Sequence, residues 1–337
     1  MKTKEMTMHD KPPNPAKSWS VTHPLSPEDQ AAMAEVRAMI KPNKGKLQGV
    51  GARAPFDAIM LRVVAPEGVT YRSDTVGGIP GWWCTPANAR PGHAILHLHG
   101  GWFNWGSAEA FRHLVGHIAQ SAGVEAFVPN YRLAPEHPFP AGLDDALACY
   151  RALDASGKRV ALSGDSAGGN IALVLLKITT AQASANLRAP TAAVALSPVT
   201  DLTMTGSSWE TRAAADPYFV RQQAAALVDS YLAGADPADP KVSPLHGNLA
   251  GLPSIRVHVG DDEVLLDDSV RFVDRVVAAG VDARIDVWQG MAHGFLGGIG
   301  RLNAAAQALV LIGAFLSAQT NALTKPQPSP RALIRDP

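Results

Sequence analysis

The run Gly164-Asp165-Ser166-Ala167-Gly168 limits what this chain can fold into more than any other stretch of it. It follows a short apolar run, Val160-Ala161-Leu162-Ser163, and opens a longer apolar stretch over 171–178. A buried strand that feeds directly into a buried helix needs a tight turn between them. A serine at the apex is pushed out of the sheet with its hydroxyl exposed, and glycines two residues to either side keep the crossing backbones apart. The helix N-terminus behind the serine presents free N–H groups and a partial positive charge. Five residues of this pattern also mark a plain strand–turn–helix in a chain rich in Gly and Ala, so the rest of the sequence must decide between the two readings.

The rest of the sequence alternates. Residues 69–76 and 80–86, joined by Gly77-Gly78, read as a β-hairpin. Apolar strands follow at 94–98, 124–128, 160–162, 192–196, 255–259 and 283–288, with helical segments at 107–121, 141–155, 167–183, 268–279 and 301–317. Such alternation implies a mostly parallel sheet of about eight strands, entered through an antiparallel hairpin, with helices on both faces. Ligands of such sheets bind at the carboxyl ends of the strands. Ser26-Pro27-Glu28-Asp29 reads as a helix start whose apolar stripe is Ala31, Met33, Ala34, Val36 and Ile40. Gly280 suits a helix stop.

One interval breaks the rhythm. Residues 201–250 are longer than a single crossover needs and carry Trp209, Tyr218, Phe219 and Tyr231. The expected organisation is a loose tail at 1–18, N-terminal cap helices at 19–64, a core at 65–200 and 251–318, a cap insertion at 201–250 and a second loose tail at 319–337.

Bulk properties exclude several classes. The 337 residues suffice for a large core, and 30 Lys and Arg balance 30 Asp and Glu. Zero net charge argues against an extended nucleic-acid or anionic-membrane surface. No apolar run reaches the length of a bilayer span; 302–316 is broken by Asn303 and Gln307. Cys84 and Cys149 lie far apart and match no metal or redox spacing, so they read as buried thiols in a reducing compartment. With a polar N-terminus that lacks the apolar stretch of a leader, this points to the cytoplasm.

His99-Gly100-Gly101-Trp102 comes directly after the strand at 94–98. A Gly-Gly turn at a strand end aims backbone N–H groups into a cleft, where they can hold the oxyanion of a tetrahedral intermediate. Together with Tyr131-Arg132-Leu133-Ala134-Pro135-Glu136, Gly164-Asp165-Ser166-Ala167-Gly168-Gly169, Ser243-Pro244-Leu245, the run 259–267 and His293-Gly294-Phe295, it resembles the hormone-sensitive-lipase branch of the α/β-hydrolases. The motifs stand in family order across about residues 25–317.

The resemblance implies a serine carboxylic ester hydrolase with an α/β-hydrolase fold. Carried over by position, Ser166 is the nucleophile, His293 the general base, and the N–H groups of Gly101, Trp102 and Ala167 form the oxyanion hole. Trp102 departs from the family, which has glycine there; its N–H is kept, but its ring is expected to narrow the pocket or alter the turn. The family's acid pattern aligns as Glu263-Val264-Leu265-Leu266-Asp267, which makes Glu263 the triad acid, thirty residues before His293, with Asp262 the alternative. Asp267 and Asp268 read otherwise as caps of the following helix.

His97 and His99 form H-x-H without a third ligand at suitable spacing, so His99 is expected to brace the oxyanion loop rather than hold zinc. Arg132, Glu136 and Asp144 read as a pairing that fixes the loop 131–140. Trp209, Tyr218, Phe219 and Phe295 are candidates to line the pocket, with core packing the competing role of each. The implied substrate is a small ester with a short-to-medium acyl group or a compact hydrophobic alcohol; lactones, amides and acyl transfer use the same triad. A non-catalytic receptor on this fold is disfavoured because His293 is present. No cofactor or metal is implied. The strand at 283–288 reads as a sheet edge, on which a homodimer is expected.

Overall fold

The computed structural model describes residues 18–184 and 186–322. The chain opens with β1 (Ser20–His23), α1 (Pro27–Ile40) and α2 (Arg53–Met60). It continues through β2 (Val69–Val76), β3 (Ile79–Pro86), β4 (His93–Leu98), α3 (Ala108–Ala122), β5 (Ala126–Pro129) and α4 (Ala141–Ala155). Next come β6 (Arg159–Asp165), α5 (Ala167–Ala181), β7 (Ala193–Leu196), α6 (Ser208–Thr211) and α7 (Arg221–Leu232). The last elements are β8 (Ile255–Gly260), α8 (Leu266–Ala278), β9 (Ala283–Trp288) and α9 (Asn303–Ala322).

Among the described residues the strands form one sheet of nine, in the order β1-β9-β8-β7-β6-β4-β5-β3-β2. Only the β2–β3 and β3–β5 pairings are antiparallel. Gly77 and Gly78 both take positive φ, 62° and 84°, as the two central residues of a tight hairpin must. Every residue of β4 is buried, as a central strand covered on both faces requires, whereas β2 alternates toward solvent. The two-residue period then sorts the core. Leu96, Leu162 and Ala195 face a layer shared with Ile171, Leu173 and Val273, while Ile95, Ala161 and Val194 face one shared with Phe111, Ile118 and Ile312.

The ends of the helices follow the expected chemistry. Ser26 Oγ accepts the Asp29 N–H at 3.1 Å, with Pro27 at the first helical position. Gly280 closes α8 with φ 79°. Asp29 does a second job: its carboxylate accepts the N–H groups of Asn303 and Ala304 at 2.7 and 2.9 Å, so the first turn of α1 caps α9.

The expected sheet gains one strand, and four further expectations need correction. The sheet has a ninth strand, because β1 pairs in parallel with β9 and His23 stacks on Trp288 at 3.8 Å. Residues 19–64 are therefore not all cap, and β9 is not the sheet edge on which the homodimer expectation rested. In α1, Ala31 and Ala34 are exposed while Met33 is buried. Helix α9 continues to Ala322, past the expected start of the tail at 319. Residues 1–17 and 323–337, the remainder of the expected tails, lie outside the described residues.

Candidate active site

Three strand ends supply the floor of the site. At the end of β6, Ser166 has φ 54° and ψ −119°, a left-handed conformation that a side chain enters at a cost of about 1–3 kcal/mol. The flanking glycines make this turn possible. A Cβ on Gly164 would lie 2.4 Å from the Gly168 carbonyl oxygen, and one on Gly168 would lie 2.0 Å from that of Leu98. Ser166 stands at the N-cap of α5 but makes no capping bond, so its hydroxyl is not committed to the helix.

At the end of β4 the loop turns through Gly101, Trp102 and Phe103, all with positive φ (119°, 52° and 62°). Its shape is over-determined. The Gly100 N–H donates to Asp165 Oδ1 at 3.0 Å, which ties the loop to the residue before Ser166. Asn104 Nδ2 donates to the carbonyls of Trp102 and Leu227 at 2.6 and 3.0 Å, and Arg53 Nε donates to the Asn104 carbonyl at 2.8 Å. Among the described residues, the amides of Gly101, Trp102 and Ala167 find no acceptor. His99 stacks on Tyr131 at 4.3 Å, and the Tyr131 hydroxyl donates to the His99 carbonyl at 2.6 Å. Burial pushes the His99 imidazole down to about 4, so it is neutral and acts as a brace.

Beyond β8, five acids crowd the loop and the first turn of α8, and each has its own destination. Glu263 is fully buried. Its Oε2 lies 2.7 Å from His293 Nδ1, while Oε1 accepts the Ser197 hydroxyl at 2.7 Å and the Gly260 N–H at 2.6 Å. Asp262 turns outward to Arg37 at 2.5 Å, and Asp261 accepts the Gly290 N–H at 2.6 Å. Asp267 accepts from the Ser207 hydroxyl and the Ser208 N–H, and Asp268 from the N–H groups of Thr200 and Asp201. The last two therefore hold the chain after β7 and do not cap α8.

The same geometry sets the histidine's proton affinity. Burial alone lowers it, but the hydrogen bond and charge of Glu263 outweigh burial and raise His293 above its ordinary 6.5. The floor is one connected unit: Ser166 N donates to the Leu196 carbonyl, Ser197 follows Leu196, and its hydroxyl grips Glu263.

The roof is aromatic. Phe219 stands edge-on to His293 at 5.0 Å and to Trp102 at 5.3 Å. Trp209 lies 6.3 Å from Trp102, and Tyr218 6.1 Å from Phe219. Phe295 goes elsewhere: its ring packs 5.8 Å from Trp288 in the core layer of Met33 and Leu296. The Trp102 ring is buried in this cluster, and its backbone takes a positive φ of 52°.

Three residues that the sequence reading passed over organise the site. Asp165 tethers the loop after β4 and lies 3.3 Å from His97. Ser197, itself at φ 44°, orients Glu263. Asp216 is buried; one oxygen accepts the Val264 N–H at 2.9 Å and the other the N–H groups of Tyr218 and Phe219 at 2.8 and 3.0 Å. It joins the roof to the acid loop. The expected Arg132–Asp144 pairing is instead Arg132 with Asp145 at 2.7 Å, and Glu136 pairs with Arg53 at 2.6 Å.

A family model for the α/β hydrolase fold matches residues 95–297. An acetyl-hydrolase of Streptomyces hygroscopicus is 37% identical over 249 residues, covering 73% of this chain and 82% of the relative. An ethyl acetate hydrolase of Pseudomonas putida is 32% identical over 240 residues, covering 66% and 72%. The crystal structure of an esterase from the bacterial hormone-sensitive lipase family superimposes with a TM-score of 0.81 at 35% identity, over 88% of this chain and 99% of that one. The chain belongs to the α/β-hydrolase family, in its hormone-sensitive-lipase branch.

Proposed function

We propose that this carboxylic ester hydrolase cleaves esters of short-to-medium acyl groups through an acyl-enzyme on Ser166, with His293 as the base and Glu263 as the acid. His293 Nε2 takes the Ser166 proton as Oγ attacks the carbonyl carbon, and the carbonyl π pair moves onto oxygen. The amides of Gly101, Trp102 and Ala167 receive that oxyanion. When the C–O bond to the alcohol breaks, His293 returns the proton to the leaving oxygen. Water then attacks the acyl carbon, giving its proton to His293, and the acid departs as Ser166 is reprotonated.

The observation that carries this reading is the fully buried Glu263 carboxylate, 2.7 Å from His293 Nδ1 and doubly hydrogen-bonded on its other oxygen. A carboxylate so held fixes the tautomer that leaves Nε2 free and stabilises the imidazolium formed in each step. Asp262, committed to Arg37, is not available for that role. The roof of Trp102, Trp209 and Phe219, together with the activities named for the acetyl- and ethyl-acetate-hydrolysing relatives, supports small acyl groups. Segment 201–250 forms the cover in this reading, with residues 45–47 packed against it. Two free, buried thiols, Cys84 and Cys149, fit a cytoplasmic setting.

The test is hydrolysis of p-nitrophenyl esters from acetyl to palmitoyl by the wild type and Ser166→Ala. We expect activity greatest at short to medium chains and abolished by the substitution. Wild-type rates in Ser166→Ala would end the nucleophile assignment, and a maximum at palmitoyl would end the substrate assignment.

A further inference from the structure

Helix α2 packs Phe56 and Met60 against the core, and both of its charged residues are also tied to the protein. Arg53 binds the Asn104 carbonyl and the half-exposed Glu136, and Asp57 accepts the Ser107 hydroxyl at 2.8 Å. Its outer side is Ala54, Pro55, Ala58 and Ile59, all exposed, and the chain continues through exposed Leu61, Arg62 and Val64. Ordinary surface helices carry their charged side chains on that outer side.

The exposed apolar side chains are concentrated here. Met39, Val50, Ile59, Leu61 and Val64 are 57, 48, 49, 44 and 76% exposed. Val220, 39% exposed, joins them, since a Cβ on Gly45 would lie 2.7 Å from its Cγ2. Among the described residues, only Val310 is a comparably exposed large apolar side chain outside this region. Grouping on this scale marks a surface that meets something apolar.

The charge of the region is equally local. Residues 39–64 hold five basic residues and one acid, although the whole chain sums to zero. The acid, Asp57, faces inward, Lys44 and Arg53 are bound to protein oxygens, and Lys41, Lys46 and Arg62 are exposed in the same segment as the apolar side chains. Apolar groups interleaved with cations fit an anionic lipid interface: the former enter the acyl boundary and the latter meet phosphate. A second copy of this surface would set cation against cation. The segment also lies against the cover of the site. The Gly45 N–H donates to the Tyr218 carbonyl at 3.0 Å, and Trp105 Nε1 donates to the Gly49 carbonyl at 2.8 Å.

We infer that the exposed side of residues 39–64 docks on an anionic phospholipid surface, bringing the roof of the site to the interface where amphiphilic esters gather. Docking does not depend on the proposed catalytic roles, so it is tested without turnover. The full chain is sedimented with vesicles of phosphatidylcholine alone, or mixed with about one third phosphatidylglycerol. Binding is expected only to the anionic vesicles, and is expected to weaken as salt rises. Neutralising Lys41, Lys46 and Arg62 to Gln together should weaken it by on the order of tenfold to a hundredfold. Ile59→Glu with Val64→Glu should abolish it while leaving p-nitrophenyl acetate hydrolysis in vesicle-free buffer within about twofold, because neither side chain touches the site. No sedimentation with anionic vesicles, or sedimentation that both variants retain, would overturn the inference. So would a dimer in solution that Ile59→Glu with Val64→Glu dissociates, because the face would then be an interface between copies.

Discussion

The floor and the roof of this site are held by different forces. In the floor, buried polar atoms are matched in detail: Glu263 meets three donors, Gly100 is tied to Asp165, and Ser166 N is bound to Leu196. In the roof the side chains meet ring against ring, hydrogen bonds such as those of Asp216 hold only the backbone, and among the described residues the indole nitrogens of Trp102 and Trp209 are buried without a partner. Directed hydrogen bonds fix atoms to fractions of an ångström, which suits groups that must meet a developing charge. Aromatic packing sets the shape and size of a space with far less directional demand. The floor therefore determines whether the reaction occurs, and the roof which ester undergoes it.

Substitutions should separate the two by both size and kind. Ser166→Ala should lower kcat for p-nitrophenyl acetate by about 10⁵–10⁶-fold, seen in a stopped assay with concentrated enzyme. Glu263→Gln should cost about 10⁴-fold in kcat, while Asp262→Asn stays within a few-fold, because only the former touches His293. Phe219→Ala and Trp102→Gly should act otherwise. They should change the ratio of kcat/KM for octanoyl and acetyl esters by about 10–100-fold in favour of the longer chain. A roof variant that lost all chain lengths equally would contradict this division of roles. Asp165→Ala should lower kcat by about tenfold or more with KM little altered, since it frees the loop bearing two of the oxyanion donors without touching the acyl pocket.

The smallest effect concerns stability. Burial pushes Asp268 up to about 7 from an ordinary 3.8. The native state thus holds a proton that the unfolded chain releases, and this contribution to stability is lost as pH rises from about 4 to about 7. Asn keeps an oxygen for the N–H groups of Thr200 and Asp201. Asp268→Asn should therefore gain on the wild type by on the order of 1 kcal/mol or more near pH 8, with no gain below about pH 4. Chemical denaturation at both pH values measures it.

How far the sequence could be read follows the same division. Strands, helices and the turn at Ser166 were legible because apolar period and glycine placement are local signals. So was the pairing of Glu263 with His293, through the motif that spaces them. What escaped was chemistry between residues distant along the chain. Asp216 binds Val264 from forty-eight positions away, and Asp29 caps a helix 274 positions on. The strand β1 has only four residues, too few for a period to stand out. Phe295 stands among the candidate pocket residues, with core packing its competing role, and its ring turns to Trp288. The zero net charge argued against an anionic surface, while residues 39–64 concentrate the basic side chains that the sum conceals.

The central claim is that Glu263 sets the proton affinity of His293. It is tested most directly by kcat/KM against pH for p-nitrophenyl acetate with the wild type, Glu263→Gln and Asp262→Asn. Hydrolysis needs the neutral imidazole, so the rate falls as pH drops through the His293 pKa, which the carboxylate holds above 6.5. Removing that charge leaves burial opposed only by the weaker pull of Asp216 and Asp165. The acidic limb of the residual Glu263→Gln activity should then move to lower pH, with that of Asp262→Asn unmoved. A limb that shifts in Asp262→Asn and stays in place in Glu263→Gln would contradict the account.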